Sequence, residues 1–400
     1  MDLRSNFPYW LLKQGIVRSY PSLQENIKAD VAIIGGGISG ALTAWYLVHS
    51  GFNTILVDRR HIGMGSTAAS TSLLQYEIDV PLHELITKTG EINAVRSYLL
   101  CRDALDKIGA IAKNVRAKDC FRKKPSFQFA SRKKHVKNLE TEFQLRKKAG
   151  FSLQWMNEND IVHHYGFTGH GGILSKDAAD ADAYGLTHGI LKKCIAGGLK
   201  VFDHTEVIDI RHQKRSIELM TAGNKKIKAG KLVIACGYES QRYIPKKVQE
   251  LHSTYVIISE PRAEKEFWYK NSLIWETNRP YLYLRTTSDN RIIIGGKDIT
   301  SSDPAKRDRL LASKAKSLEK SFHELFPSIP FRTDFKWAGS FASTKDGLPF
   351  IGSIRHHPHT YFALGFGGNG ITFSLIGAEI INDILNGRKN NDAKIFSFDR

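Results

Sequence analysis

The residues whose chemistry is clearest from spacing are three glycines, Gly35, Gly37 and Gly40, which follow the apolar run 31–34 as G-x-G-x-x-G. A buried strand that ends in such a turn and continues as a helix directs backbone N–H groups and the positive helix end at one point. The first glycine permits the tight turn, the second lets an anion approach the backbone, and the third lets helix and strand pack closely. The pattern predicts a pyrophosphate-binding turn, with Ser39 at the start of the helix.

An acidic residue completes this unit at the end of the next apolar strand. Asp58 lies 18 residues after Gly40, close to the spacing of roughly 20 residues at which a carboxylate reaches ribose hydroxyls. Because the carboxylate disfavours a ribose 2′-phosphate, residues 31–58 predict FAD or NAD, with Arg59 as a further contact. The alternative is a glycine-rich turn with no ligand. This alternative is disfavoured because the strand, the helix, the second strand and the acidic residue are all present in order.

Three further stretches of small residues predict where the rest of an extended cofactor lies. The run 63–72 is rich in glycine and hydroxyl residues, and a flexible linker is its alternative explanation. A second buried strand ends in small residues at 235–237, and a second glycine-rich junction opens a helix at 366–371. The contacts predicted from these stretches are Gly65, Ser66, Thr67, Ala235, Gly237, Gly367, Gly368, Asn369, Gly370 and Ile371.

Candidate substrate contacts come from the second half of the chain. Tyr281 and Tyr283 alternate with leucines, so both face one side of a predicted strand and are candidate pocket walls, with core packing as the alternative. Arg285 and Lys345 are candidate anchors for an anionic group, and each is equally explained as a structural ion-pair partner. The histidine-rich stretch 356–359 does not converge as a metal site requires, and no metal is predicted.

The elements that position these residues predict an α/β protein with two domains. Strand and helix patterns indicate a Rossmann-like FAD/NAD(P)-binding domain, and closely spaced β-rich segments over 252–297 with a helix over 304–325 indicate a second α+β domain built on an antiparallel sheet. The aromatic residues at 7–11 are expected to dock an arm onto the body. The predicted boundaries are an arm over 1–29, a discontinuous FAD-binding domain over 30–80, 151–245 and 331–388, and a substrate domain over 81–150 and 246–330.

Composition narrows the class of protein. The chain has 400 residues and a formal net charge of +18, which suits a polyanion, an acidic membrane surface or an anionic substrate. A solvated basic surface is favoured over these, because no RNA-binding signature accompanies the charge. Four scattered cysteines predict free thiols in a reducing compartment. The first thirty residues do not resemble a secretory signal and no membrane span is predicted, so we expect a cytoplasmic protein.

Five motifs in the same order resemble those of the D-amino acid oxidase superfamily of FAD enzymes. They are VAIIGGGISG with Asp58, GSTAAST, LVIACG, WAG...TKDGLPFIG and GFGGNGI, and the similarity is greatest to the group of glycine, sarcosine and γ-glutamylputrescine oxidases. The resemblance spans roughly residues 28–386 and implies FAD in an extended form. By this analogy the pyrophosphate contacts Gly35, Gly37, Ser39 and Gly40, the ribose Asp58, the adenine the backbone of Val207, and the flavin residues 367–371.

The resemblance also implies hydride transfer from an amine-bearing carbon to flavin N5, which gives an imine that water hydrolyses, with no obligatory protein acid or base. Several family positions differ here. The substrate-anchoring arginine corresponds to a position near Phe341, the lysine of the last turn to one near Thr372, the flavin-linking cysteine to about Gly339, and the oxygen-reducing lysine to one near Ile293. These differences imply noncovalent FAD and leave the electron acceptor open between oxygen and another oxidant.

Three classes of function follow. The first is a FAD-dependent oxidoreductase acting on a small-molecule amine or amino acid. The second is an RNA-acting flavoprotein that modifies tRNA, because a related oxidase domain takes part in wobble-uridine modification and the chain is basic. The third is a flavin-binding subunit without turnover of its own, which the missing substrate anchors permit.

Overall fold

The computed structural model describes residues 1–263 and 266–400. Its helices are α1 (Tyr9–Gln14), α2 (Ile38–His49), α3 (Ser66–Ala69), α4 (Leu82–Thr89), α5 (Glu91–Asn114), α6 (Val136–Lys148), α7 (Glu158–Tyr165), α8 (Ala183–Ala196), α9 (Pro304–Leu325) and α10 (Gly370–Leu385). Its strands are β1 (Arg4–Ser5), β2 (Ile27–Ile34), β3 (Thr54–Val57), β4 (Leu73–Gln75), β5 (Phe121–Phe129), β6 (Leu153–Met156), β7 (Gly172–Ala181), β8 (Lys200–Phe202), β9 (Val207–His212), β10 (Ile217–Thr221), β11 (Lys226–Ile234), β12 (Glu250–Ser259), β13 (Leu273–Glu276), β14 (Tyr283–Thr286), β15 (Ile292–Ile299), β16 (Thr333–Ser343), β17 (Phe350–Ser353) and β18 (Thr360–Leu364).

The first sheet carries the glycine turn. Its eight strands run in the order β17-β18-β11-β2-β3-β8, with β10 pairing β11 and β9 pairing β10. The four pairs made by β18, β11, β2, β3 and β8 are parallel. Side chains of β2 alternate between two core clusters, Val31 and Ile33 on the helical face and Ala32 and Ile34 on the other. Burial on both faces explains why this strand is a continuous apolar run.

The second sheet has ten strands in the order β1-β16-β12-β15-β14-β13-β5-β7-β4, with β6 pairing β7. It is antiparallel except where β13 runs parallel to β5. Helix α9 covers one face, with Leu318 and Phe322 in the same buried cluster as Ile257 and Ile294. The bounds of α9 match the predicted helix, which begins where the Asp303 carboxylate accepts a hydrogen bond from the Ala305 N–H at 2.9 Å.

The N-terminal arm joins the second sheet. Strand β1 pairs with β16, and the aromatic docking expected from the sequence is found for Tyr9 and Trp10, which are buried. Phe7 is 70% exposed and does not dock. Trp10 donates a hydrogen bond from Nε1 to the Ser70 carbonyl at 2.7 Å, so the arm contacts the small-residue run directly.

The strands divide between the sheets differently from the predicted boundaries. Strands β4, β6, β7 and β16 lie in segments assigned to the FAD-binding domain, yet all four pair in the ten-stranded sheet. The correction has a simple cause. The chain passes between the sheets several times, and an alternating hydrophobic pattern shows that a strand exists without showing which strand it pairs with.

Candidate functional site

The glycine turn after β2 is packed so closely that side chains would not fit. Gly35 has φ +113, and a Cβ there would lie 2.5 Å from the Ala235 carbonyl oxygen. A Cβ on Gly40 would lie 1.8 Å from the Gly35 carbonyl oxygen, so this glycine sets the approach of α2 to the turn. A Cβ on Gly37 would lie 2.8 Å from Oγ1 of Thr67. These contacts agree with the turn expected at Gly35 and the close packing expected at Gly40, and the approach of an anion at Gly37 stays a prediction.

The N-terminus of α2 opens onto a cavity. Gly37 is the N-cap and provides no side-chain cap, while the Ile38 N–H donates to Oγ1 of Thr67 at 3.0 Å. Gly37 and Ser39 both line the cavity, and the Ser39 hydroxyl lies 2.6 Å from that of Ser374. An uncapped helix end that faces a cavity favours a phosphate there.

Asp58 is held in a fixed orientation at the same cavity. Its Oδ2 accepts a hydrogen bond from the Gly36 N–H at 2.7 Å, and its Oδ1 accepts one from the Arg60 N–H at 2.8 Å. Burial raises the pKa of this carboxyl, and the two N–H donors counter that effect. Asp58 and the predicted adenine contact Val207 both line the cavity.

Glu239 organises the basic residues beside Asp58. Its carboxylate binds Arg59 at 2.5 Å and Arg60 at 3.0 Å. Arg59 lines the cavity as predicted, and its Nε is buried without a hydrogen-bond partner in the described residues. Glu239 was not found from the sequence, because it lies in a 3-10 turn after Gly237 with no local pattern.

A second cavity, of about 160 Å³, continues from the first. Five residues line both cavities, so together they form one elongated cleft between the two sheets: Ser66, Ser70, Tyr238, Gly370 and Ile371. Oγ of Ser66 is buried at this junction without a hydrogen-bond partner among the described residues. The other predicted contacts on small-residue stretches, Gly65, Thr67, Ala235, Gly237, Gly367, Gly368 and Asn369, line one cavity or the other.

The glycine-rich junction before α10 is tied to the second sheet by two side chains. Asp79 accepts hydrogen bonds from the Gly368 N–H at 2.6 Å and from the Tyr281 hydroxyl at 2.9 Å. Asn369 donates from Nδ2 to the carbonyls of Gln75 and Glu77 at 3.1 and 2.9 Å. Asp79 was missed from the sequence, because the mixed stretch 75–79 has two acids and no motif that selects one of them.

Aromatic residues from neighbouring strands wall the second cavity. The rings of Tyr281 and Tyr283 are 5.9 Å apart, and that of Trp275 lies 6.1 Å from Tyr281, which confirms that the two tyrosines share one side. Gly295 makes room, since a Cβ there would lie 2.3 Å from the Tyr283 ring. Burial raises the pKa of both tyrosines, so they stay neutral hydrogen-bonding groups.

Two carboxyl groups of this cavity have raised pKa values. Burial is the main cause for Asp298, whose pKa rises to about 6, and for Glu77, whose pKa rises to about 7 despite Arg146 nearby. Asp298 lies in β15, just after the segment 291–297 predicted as a strand, and no sequence motif selects it.

The structure does not bring Arg285 and Lys345 to the cavity. Arg285 is 2% exposed and donates from Nη1 to the carbonyls of Thr71, Ser72 and Ala181 at 2.8–2.9 Å. Lys345 is exposed and lines neither cavity. The positions of Arg285 and Lys345 depend on how distant segments pack together. The spacing of residues along one strand could not predict them. Of the family positions that differ, Gly339, Phe341 and Thr372 line the second cavity, whereas Ile293 is fully buried outside it.

Within 1–263 and 266–400, no cluster of His, Cys, Asp or Glu side chains has the arrangement of a metal site. In the same ranges, none of the helices combines the length and the apolar character needed to cross a bilayer.

The glycine turn, Asp58 and the elongated cleft define a dinucleotide-binding protein of the Rossmann-like class. Comparison with known proteins makes this specific: residues 30–384 match the model of the FAD dependent oxidoreductase family, named DAO, and the chain belongs to that family. Its cofactor is therefore FAD. The site fits this cofactor for two reasons. The glycine turn has no room for side chains, and the buried Ser66 hydroxyl has no hydrogen-bond partner among the described residues.

Individual relatives are distant but match over most of their length. The chain is 23% identical to a probable oxidoreductase, OrdL, of Haemophilus influenzae over 92% of this chain and 85% of the relative. It is 25% identical to the γ-glutamylputrescine oxidoreductase of Escherichia coli over 92% and 86%. The crystal structure of glycine oxidase from Geobacillus kaustophilus superposes with a TM-score of 0.80 at 20% identity, covering 92% and 98% of the two chains. The shared fold is a FAD-binding Rossmann-like domain with a second sheet.

Proposed function

We propose that this FAD-dependent oxidoreductase oxidises the C–N bond of a small amine or amino acid. The observation that carries the proposal is the continuity of the cleft. Gly370 and Ile371, which begin α10, line both the cavity at the glycine turn and the aromatic cavity beyond it. A cofactor held along the first cavity therefore meets a small-molecule site in the second. The names of relatives, γ-glutamylputrescine oxidoreductase and glycine oxidase, agree with an amine-bearing substrate.

The proposed cofactor contacts follow the cleft from end to end. The pyrophosphate would be bound at Gly35, Gly37 and Ser39, which line the first cavity where the α2 N-terminus favours negative charge. Gly40 would contribute by letting α2 approach the turn closely. The ribose would bind Asp58 and the adenine the backbone of Val207, with Arg59 and residues 65–67 along the path. Residues 367–371 would contact the flavin, because they line the junction with the second cavity.

When bound, FAD would supply a two-electron acceptor for hydride from the amine-bearing carbon, and water would hydrolyse the resulting imine. The chain's residues position the substrate. Tyr281, Tyr283 and Trp275 would exclude water and hold the carbon chain, and no side chain is assigned as a catalytic acid or base. Gly339 bears no side chain at the position of the covalent linkage, which supports noncovalent FAD. The electron acceptor, oxygen or another oxidant, would restore the oxidised cofactor.

The test is anaerobic reduction of the purified holoprotein by four classes of compound: simple amines, N-methyl amino acids, D-amino acids and γ-glutamyl amines. We expect one class to bleach the flavin absorbance, and we expect denaturation to release the flavin into solution. A Gly37→Val variant is the control without cofactor, because valine would collide with Thr67 and cover the turn.

Each other outcome contradicts a part of the proposal. A flavin that no compound bleaches would favour the subunit without turnover or the RNA-acting flavoprotein. A flavin that stays with the denatured chain would contradict noncovalent binding.

A further inference from the structure

The charge of the second cavity is opposite to that of the whole chain. The formal net charge is +18, yet the residues that line this cavity include three carboxylic acids, Glu77, Asp79 and Asp298, and no lysine, arginine or histidine of the described chain. The first cavity differs, since Arg59, Arg60 and Arg242 line it. A substrate carboxylate in the second cavity would find no cationic partner and would be repelled by the acids.

The three acids are not equally neutralised by the protein. Glu77 is buried with its Oε1 4.0 Å from Nη1 of Arg146, which lies outside the cavity. Asp79 accepts hydrogen bonds from the Gly368 N–H and the Tyr281 hydroxyl. Oδ1 of Asp298 and Oε2 of Glu77 are both buried, and neither has a hydrogen-bond partner among the described residues. A buried carboxylate oxygen without a hydrogen-bond partner is stabilised by a charged donor placed beside it.

The charges around Asp298 come from several elements. Burial and Asp79 oppose its ionisation, whereas a hydrogen bond with Thr254 and the charges of Lys314 in α9 and Arg279 favour it. Lys314 donates from Nζ to the Lys297 carbonyl at 2.8 Å, and Arg279 is exposed with its guanidinium 4.9 Å from the centre of the Tyr281 ring. Neither cation lines the cavity. The surroundings therefore leave Asp298 without a direct ion pair on its cavity side.

The aromatic walls suit the same kind of ligand. Trp275, Tyr283 and Asp298 lie on three neighbouring strands, β13, β14 and β15, and Tyr281 lies in the loop before β14; all four line one cavity. Aromatic faces attract ammonium groups and also accommodate alkyl chains. A cation on an alkyl chain can contact rings and carboxylates together, whereas a carboxylate is disfavoured by both.

We propose that the substrate is an alkyl diamine or a longer polyamine without a carboxylate near the reactive carbon, and that Asp298 and Asp79 bind its second ammonium group against the aromatic walls. This inference rests on the proposed amine oxidation and specifies its substrate class. Asp298 is a specificity-determining residue in this arrangement, and the C–N bond at the other end of the chain is the one oxidised.

The experiment compares matched four-carbon compounds on the holoprotein by anaerobic stopped-flow reduction of the flavin. 1,4-Diaminobutane carries a second cation, 1-aminobutane a neutral methyl group, and 4-aminobutanoate a carboxylate. We expect the second-order rate constant of reduction to fall in that order, with diamine and monoamine differing by at least about tenfold, which corresponds to about 1.4 kcal/mol. Asp298→Asn should bring the diamine to monoamine ratio close to one. Asp298→Glu should retain part of the preference, because the charge remains.

A matched control removes an acid of the same sheet that does not line the cavity. Glu250 is exposed at the start of β12, and Glu250→Gln should leave the diamine to monoamine ratio unchanged. Equal loss in this variant would assign the effect to net charge and would overturn the role of Asp298. Should Asp298→Asn fail to fold, the order of the three compounds on the wild-type protein still decides the substrate class.

A binding measurement separates this inference from the proposed function. Tetramethylammonium has no N–H group, and its binding is followed by perturbation of the flavin spectrum. We expect it to bind at least about tenfold more tightly than pivalate, its anionic counterpart of similar shape. Reduction by 4-aminobutanoate in preference to the diamine, or tighter binding of pivalate through Arg279, would overturn the inference and leave amine oxidation standing. If no amine reduces the flavin but tetramethylammonium binds tightly, the proposed function fails and the cation site stands.

Discussion

Asp58 accepts a hydrogen bond at Oδ2 from the backbone N–H of Gly36, at 2.7 Å, and so ties the end of β3 to the glycine turn after β2. Asp58→Asn keeps the shape but places an N–H₂ group opposite one of the two N–H donors. The ribose hydroxyls proposed to contact Asp58 would lose their charged acceptor, and a hydrogen bond to a charged group contributes about 1.5–3 kcal/mol. We therefore expect FAD to bind roughly 10- to 150-fold more weakly, measured by titrating flavin-free protein with FAD.

Asp30 provides the matched control for this substitution. Its Oδ2 accepts a hydrogen bond from the Asn53 N–H at 2.9 Å, on the same β2 strand but outside the cavity. Asp30→Asn should leave FAD affinity unchanged. Unchanged affinity in both variants would show that the orientation of Asp58 has no part in cofactor binding.

Arg285 should act on folding and not on substrate affinity. Its Nη1 donates hydrogen bonds to three backbone carbonyls, and the guanidinium lies 5.3 Å from the centre of the Trp10 ring. A lysine cannot reproduce this planar arrangement, so Arg285→Lys should lower the free energy of unfolding by about 1–3 kcal/mol, measured by urea denaturation. The KM for an amine substrate should not change in the folded holoprotein.

Lys345 is the control for that prediction. Its side chain is exposed, and Lys345→Ala should change the free energy of unfolding by less than about 0.5 kcal/mol and leave KM unaltered. A tenfold rise in KM for a carboxylate-bearing substrate in either variant would restore the role of anion anchor that the sequence suggested.

Structural features that depend on a few neighbouring residues could be predicted from the sequence. The turn at Gly35, Gly37 and Gly40 is dictated by local sterics, and the contacts found at Gly35 and Gly40 match their predicted roles. The helix over 304–325 was equally local, because Asp303 caps it and Pro304 begins it.

Residues brought together by distant strands were not predictable in this way. Asp79 and Tyr281 share a hydrogen bond across 202 residues of sequence, and Glu239 meets Arg59 across 180. Arg285 has the residue type of an anchor, but its partners are backbone carbonyls and the Asp180 carboxylate at 3.7 Å, all brought to it by distant segments. Pairing of β16 with β12 and β7 with β5 is set by tertiary packing, which alternating hydrophobicity does not encode.

Trp10 should anchor the N-terminal arm. It is 1% exposed and its Nε1 donates to the carbonyl of Ser70, a residue that lines both cavities. Trp10→Ala should lower the free energy of unfolding by about 3–5 kcal/mol, because a large buried side chain is lost and a cavity remains. Urea denaturation measures this, and Phe7→Ala, which truncates a 70% exposed ring of the same arm, should change it by less than about 0.5 kcal/mol.

A buried ion network links α4 to α6. Glu142 is 2% exposed and accepts hydrogen bonds from Nε of Arg146 at 2.9 Å and from the N–H groups of Leu82 and His83 at 3.1 and 2.7 Å. Burial alone would raise the pKa of this carboxyl, but Arg146 and His83 outweigh it and lower the pKa to about 2. The negative charge is therefore retained in the folded protein well into acid.

Glu142 should make the protein lose stability in acid. Its pKa is about 2 when folded and 4.5 ordinarily, so its contribution is complete above pH 4.5 and is lost as the pH falls towards 2. The difference corresponds to about 3 kcal/mol. Glu142→Gln should lower the free energy of unfolding at pH 7, and the gap from the wild type should close between pH 4.5 and 2, as measured by urea denaturation across that range. Glu140→Gln, which changes an exposed acid of the same helix, should follow the wild type. A gap between wild type and Glu142→Gln that stays constant down to pH 2 would show that the charge of Glu142 is not what stabilises the network.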